Sequence, residues 1–528
     1  MANKYNKKSS IKKISEIINL LGIILGLVIK EQEGTQLYNK VEQIRKLSKS
    51  ARNGKQESFN KLKKSISKLS PRESLIVARS FSQFLNLSNL VESLYSVHKV
   101  DDYNFRKAQG TNEFIVLEEA ISHLLKDTSV SKDKIYETCK NLKIDLVLTA
   151  HPTEVKRRTL IQKYAQINNI LERFNKLRIF SQKNIEVEEK YLEEQLHEAI
   201  TSIWKTDEIK RERPTPTEEA RWGLAVIEDS LWDAVPKITS RLDSVIRKHT
   251  GKSLPINFSP ITFGSWMGGD RDGNPYVTKE ITKEVVLLSR WSAANLYEKE
   301  LTKLIQDLSM HECSKNISRN QGKDGRRGPW EPYRVFLRPI RDKMKTTQTT
   351  IELHLNNGSN LNQSLMVQSI DELIKPLTEV YDSLCSVKCE VIANGLTLNL
   401  LRRAHAFGLS LAKLDIRQSS EKHLNLLAGI TKHIGLGNYK DWTEDERIHF
   451  LSKEFESRRP LIPHNINLNK ENLEVWQTFK MISKLPNECL GAYVISMASS
   501  VSDILAVLVL QKEAGIKNYL RTVPLFET

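Results

Sequence analysis

The chain has 528 residues, 39% hydrophobic and 27% charged, with a formal net charge of +16 and a mean hydropathy of -0.42. These values describe a globular protein with ample material for a core and exclude a disordered chain. The cysteines, Cys139, Cys313, Cys385, Cys389 and Cys489, are odd in number and form no C-x-x-C pair. That excludes a disulfide framework or zinc site and fits a reducing, cytoplasmic compartment.

Residues 1–70 hold sixteen Lys and Arg against five acids, so much of the positive charge sits at one end. It lies on sparse helical patterns such as Lys61, Lys64 and Lys68 without interleaved aromatics. The segment is read as a solvated basic helical arm, with no nucleic-acid partner. Within it, Ile17 to Ile29 is apolar and follows five lysines. The run is shorter than the roughly twenty residues a membrane span needs, and no small-residue cleavage site follows. It is read as a docking helix, with no membrane partner. Residues 71–528 form the remaining unit.

Ser70-Pro71-Arg72-Glu73 reads as a capping box with proline at the first helical position. Val77, Phe81, Phe84, Val91 and Leu94 mark one helix face; residues 100–112 read as a loop. Helical patterns resume over Phe114 to Leu125 and Lys132 to Leu142. Ile144 to Leu148 is an apolar run that reads as a buried strand, and His151-Pro152 ends it. Thr153 and Glu154 open a helix whose first turn carries Lys156, Arg157 and Arg158. Cations there oppose the helix macrodipole, which suggests an anion to be held. A histidine at a strand's C-terminal end, beside cations, stands where barrel and doubly wound folds put chemistry. A structural hydrogen-bonding histidine is the competing reading.

A charged helical region follows to about Arg211, and Arg213-Pro214-Thr215-Pro216 breaks it. Thr217 is expected to cap the next helix, with Leu224, Ile227, Leu231, Val235 and Ile238 as its core stripe. Trp222 and Trp232 read as packing residues. Pro260 to Phe263 reads as a second strand, followed by the twelve residues Gly264 to Pro275, G-S-W-M-G-G-D-R-D-G-N-P. This glycine-rich loop needs backbone conformations that glycine permits, and it can approach a ligand closely.

Helices are expected over Thr282 to Met310, Pro332 to Leu355 and Ile370 to Ala393, with a surface loop over Lys315 to Gly328. Leu411 to Ile416 reads as a third strand with Arg417 and Gln418 at its end, and Gly491 to Met497 as a fourth. Ser502 is expected to cap the helix that stops at Gly515. Thr522 to Phe526 is a fifth strand, delivering Glu527 at its tip. Five strands separated by helices imply a parallel, right-handed β/α arrangement with large helical insertions. Their C-terminal ends would gather His151, Trp266, Arg271, Arg417 and Glu527 on one face. That set suits an anionic substrate with a hard divalent cation.

T-A-H-P-T-E with the double arginine, and F-G-S-W-M-G-G-D-R-D-G-N-P, resemble the two signatures of the phosphoenolpyruvate carboxylase family. R-P-T-P with W-G-L-A-V-I-E-D-S-L-W, L-D-I-R-Q, Y-V-I-S-M-A and P-L-F-E-T also resemble that family and occur in its order. The resemblance implies a mostly α protein with a parallel β/α barrel, here an incomplete (β/α)8 TIM-type barrel with large helical insertions. It implies conversion of phosphoenolpyruvate and bicarbonate to oxaloacetate and phosphate, through carboxyphosphate and an enolate, with Mg2+ or Mn2+. It makes His151 the catalytic histidine, Arg417 a phosphate ligand and Glu527 one of two metal carboxylates. Trp266 and Leu525 would wall the apolar pocket, with Arg158, Asp270 and Arg271 around the substrate.

Two departures stand out. Val155-Lys156 replaces an uncharged pair common in the family, and Ser419 stands where a glutamate is usual. Family chains are nearly twice as long. The resemblance therefore implies that the second metal carboxylate, the mobile glycine-rich loop and the residues for an acidic feedback inhibitor lie beyond this chain. It implies that residues 1–528 alone are inactive and poorly stable, and that the full-length protein is a homotetramer. The competing reading is a noncatalytic anion-binding or regulatory protein on the same fold.

Overall fold

A computed structural model of the chain describes residues 2–108, 116–126, 130–149, 158–177, 185–208, 214–319 and 331–527. The chain divides into two compact units, residues 1–115 with 152–213, and residues 116–151 with 214–528.

The first unit is helical. Its N-terminal helices are α1 (Ala2–Glu33), α2 (Thr35–Arg52), α3 (Gln56–Ile66) and α4 (Pro71–Ala108). The apolar run of α1 lies at the centre of a core. Ile17, Leu21, Leu25 and Val28 are buried with Leu87 and Val91 of α4, Leu171 of the helix Arg158–Leu177, and Leu196 and Trp204 of the helix Ile185–Lys205. Gly22 and Gly26 let aromatic rings approach α1, since a Cβ there would stand 3.3 Å from Phe84 and 3.2 Å from Tyr38. The Ser70 box forms as expected. The Ser70 N–H donates to Glu73 Oε2 (2.8 Å) and the Glu73 N–H to Ser70 Oγ (3.3 Å). Helix α4 continues to Ala108, into the stretch expected to be a loop, with no glycine or proline to interrupt it before Gly110; residues 109–112 of that stretch lie outside the described residues. Among the described residues no helix is long and apolar enough to cross a membrane.

The second unit carries a five-stranded, all-parallel sheet: β1 (Ile144–Leu148), β2 (Ile261–Ser265), β3 (Lys413–Ser419), β4 (Leu490–Ser496) and β5 (Thr522–Pro524). The spatial order is β1-β2-β3-β4-β5, and the sheet curls as half of a barrel. Sequential order leaves no topological switch point, which separates it from a doubly wound sheet. Every expected strand is present, but the bounds of β2, β3, β4 and β5 differ from expectation: β4 is shifted by one residue and β5 ends at Pro524. β2 runs on to Ser265, and β3 includes Arg417 and Gln418 rather than stopping before them. Leu411 lies outside β3, with a positive φ of 56°.

β1 corrects the expectation of a buried strand. Among the described residues it pairs with β2 alone, and Ile144, Leu146 and Val147 are each more than 40% exposed. An apolar run shows that a strand can be buried, but an edge position leaves its flanks open. Elsewhere the sheet is backed by aromatic packing. Phe263 of β2 stacks on Phe407 at 5.1 Å, and Trp232 lies 5.1 Å from both Phe407 and Tyr297.

Local details differ from expectation for identifiable reasons. Thr215, not Thr217, caps the helix Pro216–Val226, because Pro216 takes the first helical position and Glu218 closes the box. A π turn over Ile227–Leu231 then shifts the core stripe by one residue. Trp232 and Thr239 are buried in place of Leu231 and Ile238, and Ile238 is exposed. Ser500, not Ser502, caps the helix Val501–Glu513; the Ser502 hydroxyl instead donates to Glu444 at 2.7 Å. The helix Asp371–Ser386 stops short of Ala393. Lys315–Arg319 is helical, while residues 320–328 of the expected surface loop lie outside the described residues.

The placement of α1 yields a direct test. Leu21 is 1% exposed and Ile23 64% exposed on the same helix. Leu21→Ala is expected to cost about 2–5 kcal/mol of unfolding free energy, and Ile23→Ala less than about 0.5 kcal/mol, measured by urea unfolding of the chain.

Candidate functional site

The C-terminal ends of β2, β3, β4 and β5 carry a connected set of side chains. The loop after β2 is held against β3 by main-chain bonds: the Arg417 N–H donates to the Gly269 carbonyl (2.9 Å), and the Arg271 N–H donates to the Arg417 carbonyl (3.0 Å). The contact is closer than any side chain would allow. A Cβ at Gly269 would stand 1.9 Å from the Asp415 carbonyl oxygen, and one at Gly268, whose φ is +82°, would stand 2.5 Å from Val285.

Arg417 lies at the centre. Nη1 donates to Asp270 Oδ2 (3.1 Å), and Nη2 faces Asp272 Oδ2 (2.9 Å) and Glu527 Oε1 (3.1 Å). Its guanidinium carbon lies 5.1 Å from the centroid of the Trp266 ring, within cation–π range. The side chain is 14% exposed. Burial pulls the guanidinium pKa down, but Asp270, Asp272 and Glu527 outweigh it and hold the group above its ordinary value.

Trp266 is fixed at three points. Its main-chain N–H donates to the Leu148 carbonyl at 2.9 Å, its indole N–H donates to Asp415 Oδ2 at 3.1 Å, and its ring meets Arg417. Arg271 serves the loop itself: Nη1 donates to the Gly269 carbonyl (3.0 Å) and Nη2 to Thr282 Oγ1 (2.6 Å). Burial lowers its pKa. Leu525 is tied to β4 and the turn after it, donating to the Ile495 carbonyl (2.8 Å) and accepting from the Ala498 N–H (3.1 Å). That places Glu527 beside Arg417.

The structure thus brings together Trp266, Arg271, Arg417, Leu525 and Glu527, with Asp270. His151 lies outside the described residues. Arg158 opens the helix Arg158–Leu177, and its side chain is likewise outside them. Two members of the cluster escaped the sequence reading, Asp272 and Asp415. The alternation of L-D-I-R could have found Asp415, because residues two apart on a strand share a face.

Among the described residues, no group of three or more His, Cys, Asp or Glu side chains is gathered for a metal ion. Glu527 offers one carboxylate, a hard oxygen ligand. Mg2+ is commonly held by one or two carboxylates together with substrate oxygens and water, and Glu527 fits that donor chemistry.

Below the rim, Tyr493 of β4 shares a hydrogen bond with His423 (2.8 Å) and stacks on Phe479 at 5.0 Å. His423 is 1% exposed, and burial pushes its pKa down to about 4.

Fold and rim define a β/α protein whose strand ends bring together an arginine, an indole and a glycine-rich loop. The family model described as phosphoenolpyruvate carboxylase matches residues 14–528, and the chain belongs to that family. It is 43% identical over 523 residues to the phosphoenolpyruvate carboxylase of Acinetobacter baylyi, covering 98% of this chain and 57% of that protein. The corresponding protein of Acinetobacter baumannii is 42% identical over the same shares. That of Hahella chejuensis is 41% identical over 520 residues. The chain therefore spans 57% of the length of these relatives.

Two predictions follow from the packing. Gly269→Ala is expected to destabilise the chain by at least about 1–3 kcal/mol, the usual cost of overpacking. Gly273→Ala meets no atom within 4 Å but keeps a φ of +67°, and is expected to cost about 1 kcal/mol; paired urea unfolding curves would compare them. For His423, the ring is neutral in the fold, while the unfolded side chain protonates near its ordinary value of 6.5. Its contribution is present above pH 6.5 and is lost as pH falls towards 4. Unfolding titrations should show a loss on the order of 3 kcal/mol across that window, and His423→Leu should remove this component.

Proposed function

We propose that this chain carries the phosphate-recognition side of a phosphoenolpyruvate carboxylase. The whole protein would convert phosphoenolpyruvate and bicarbonate to oxaloacetate and phosphate, replenishing the tricarboxylic acid cycle. One observation carries the reading: a guanidinium at the C-terminal end of β3 directs both Nη atoms towards oxygen acceptors while its face rests on Trp266. A planar guanidinium fork matches the oxygens of a phosphate bidentately.

In this reading Arg417 binds the phosphoryl group, and Trp266 and Leu525 flank the methylene end of the substrate. Arg271 supports the loop on which Trp266 and Asp270 are carried, and Arg158 adds positive charge towards the substrate. His151 is the proton-transferring residue of the carboxylation half, a role that suits an imidazole with an ordinary pKa near 6.5 at neutral pH. Its support is the T-A-H-P-T-E motif and its position three residues after β1 ends. Glu527 would hold Mg2+ or Mn2+, which would supply charge neutralisation for the phosphoryl and enolate oxygens.

The curled sheet is read as part of a (β/α)8 TIM-type barrel in the whole protein. Residues 1–70 act as a supporting basic arm and residues 71–528 as the catalytic portion. A homotetramer in the cytoplasm rests on the family resemblance, and the free cysteines agree with a reducing compartment.

The test uses Trp266 as a reporter. Phosphoenolpyruvate added to the purified chain is expected to quench tryptophan emission, with the response absent in Trp266→Phe. Arg417→Gln is expected to weaken binding at least about tenfold, as loss of a charged phosphate contact does. An identical titration for Arg417→Gln would sink the proposal.

A further inference from the structure

We infer that Asp415 is a positioning residue for the anion site, locking the edge of the Trp266 indole so that the ring face stays against Arg417. The inference rests on the reading above for the identity of the anion. Asp415 and Arg417 are two residues apart on β3, so they point to the same side of the sheet. Leu414, Ile416 and Gln418, between and beside them, are buried on the other side. Asp415 thus stands one layer deeper than Arg417, and Trp266 spans the two layers.

Both carboxylate oxygens are engaged. Oδ2 accepts from the Trp266 indole N–H (3.1 Å) and Oδ1 from the Ala492 N–H (2.7 Å). The second bond has a structural cause. Leu414 pairs with Leu490 and Ile416 with Tyr493, so β4 carries one extra residue opposite Asp415. Such a bulge leaves an N–H outside the ladder, and the Asp415 carboxylate takes it. The neighbouring strand makes room, since a Cβ at Gly491 would stand 2.0 Å from Asp415 Oδ1. On the other side, Gly269 passes over the Asp415 main chain. The carboxylate is therefore held by the bulge, and its remaining oxygen is fixed in the direction of the indole. Burial raises the carboxyl pKa, against the bonds from Ala492 and Trp266.

An asparagine has one side-chain carbonyl acceptor, so Asp415→Asn leaves one of the two donors without a partner. The bulge N–H is fixed by the strand, whereas the indole can turn, so the indole should lose its bond. The Trp266 emission, taken as the difference between a protein and its Trp266→Phe counterpart, is expected to shift in Asp415→Asn and to become more accessible to acrylamide. Phosphoenolpyruvate binding should weaken about tenfold, the scale of one lost hydrogen bond to a charged group. To compare both backgrounds, ligand binding is followed calorimetrically. Added to Trp266→Phe, the asparagine should cause no further loss, because the two changes break the same link.

An unchanged Trp266 emission in Asp415→Asn overturns the inference, as does an equal additional loss in the Trp266→Phe background. If Asp415→Asn does not fold, Trp266→Phe tests the link from its other end. It removes the indole N–H and leaves the Ala492 bond, so weaker binding is expected and undiminished binding overturns the inference. An unsubstituted chain that does not bind phosphoenolpyruvate refutes the proposed function, whereas the ligand-free emission of Trp266 still decides the role of Asp415.

Discussion

The pairing of Gly269 and Arg271 with the main chain of Arg417 is the constraint on which the rim depends. Two hydrogen bonds of 2.9 and 3.0 Å extend β3 sideways into the loop that leaves β2. They require a residue without a Cβ at position 269, because the Asp415 carbonyl occupies that space. Once the loop is tied there, Trp266, Asp270 and Asp272 have little choice of position. All three come to one guanidinium because the backbone that carries them is already paired. A plain turn between β2 and the next helix would satisfy its own hydrogen bonds and leave Arg417 without Asp270 and Asp272, keeping only Glu527 of its three carboxylate partners.

Much of this was legible in the chain. Parallel strands read as short apolar runs, and each run is followed by the polar residues that its end presents. Hence Trp266, Arg417 and Glu527 could be assigned to one face before any coordinates. The structure shows these three together, with Leu525 and Arg271 beside them. What could not be read depends on partners far away in sequence. β1 is as apolar as an interior strand, and its exposure goes with having a neighbour on one side only among the described residues. The bulge that gives Asp415 its second bond lies in β4, 77 residues later, and L-D-I-R carries no sign of it. The π turn at Ile227–Leu231 is invisible to a count of three and four, yet it decides that Thr239 rather than Ile238 faces inward. The apolar run of α1 could be recognised as a helix, but its place at the centre of a core required Leu171, Leu196 and Trp204.

The members of the rim differ in how firmly they are held, and that difference bears on binding. Trp266 is fixed by the Leu148 carbonyl, Asp415 and Arg417, and Asp270 sits on the paired segment itself. Asp272 and Glu527 are the more exposed acceptors, at 34% and 42%, and both meet the same nitrogen, Nη2 of Arg417. An arginine side chain only 14% exposed cannot be left uncompensated without a cost of several kcal/mol, on the order measured when one partner of a buried ion pair is removed. Oxygen acceptors at Nη2 are therefore a condition of keeping Arg417 where it is. A phosphate oxygen satisfies that condition as well as a carboxylate does, so exchanging Asp272 or Glu527 for an incoming anion preserves the hydrogen bonding of the guanidinium. The displaced carboxylates lie near enough to solvent to be hydrated. In the proposed function the rigid members would set the geometry, and the two exposed acids would keep the arginine compensated until a ligand supplied its own oxygens.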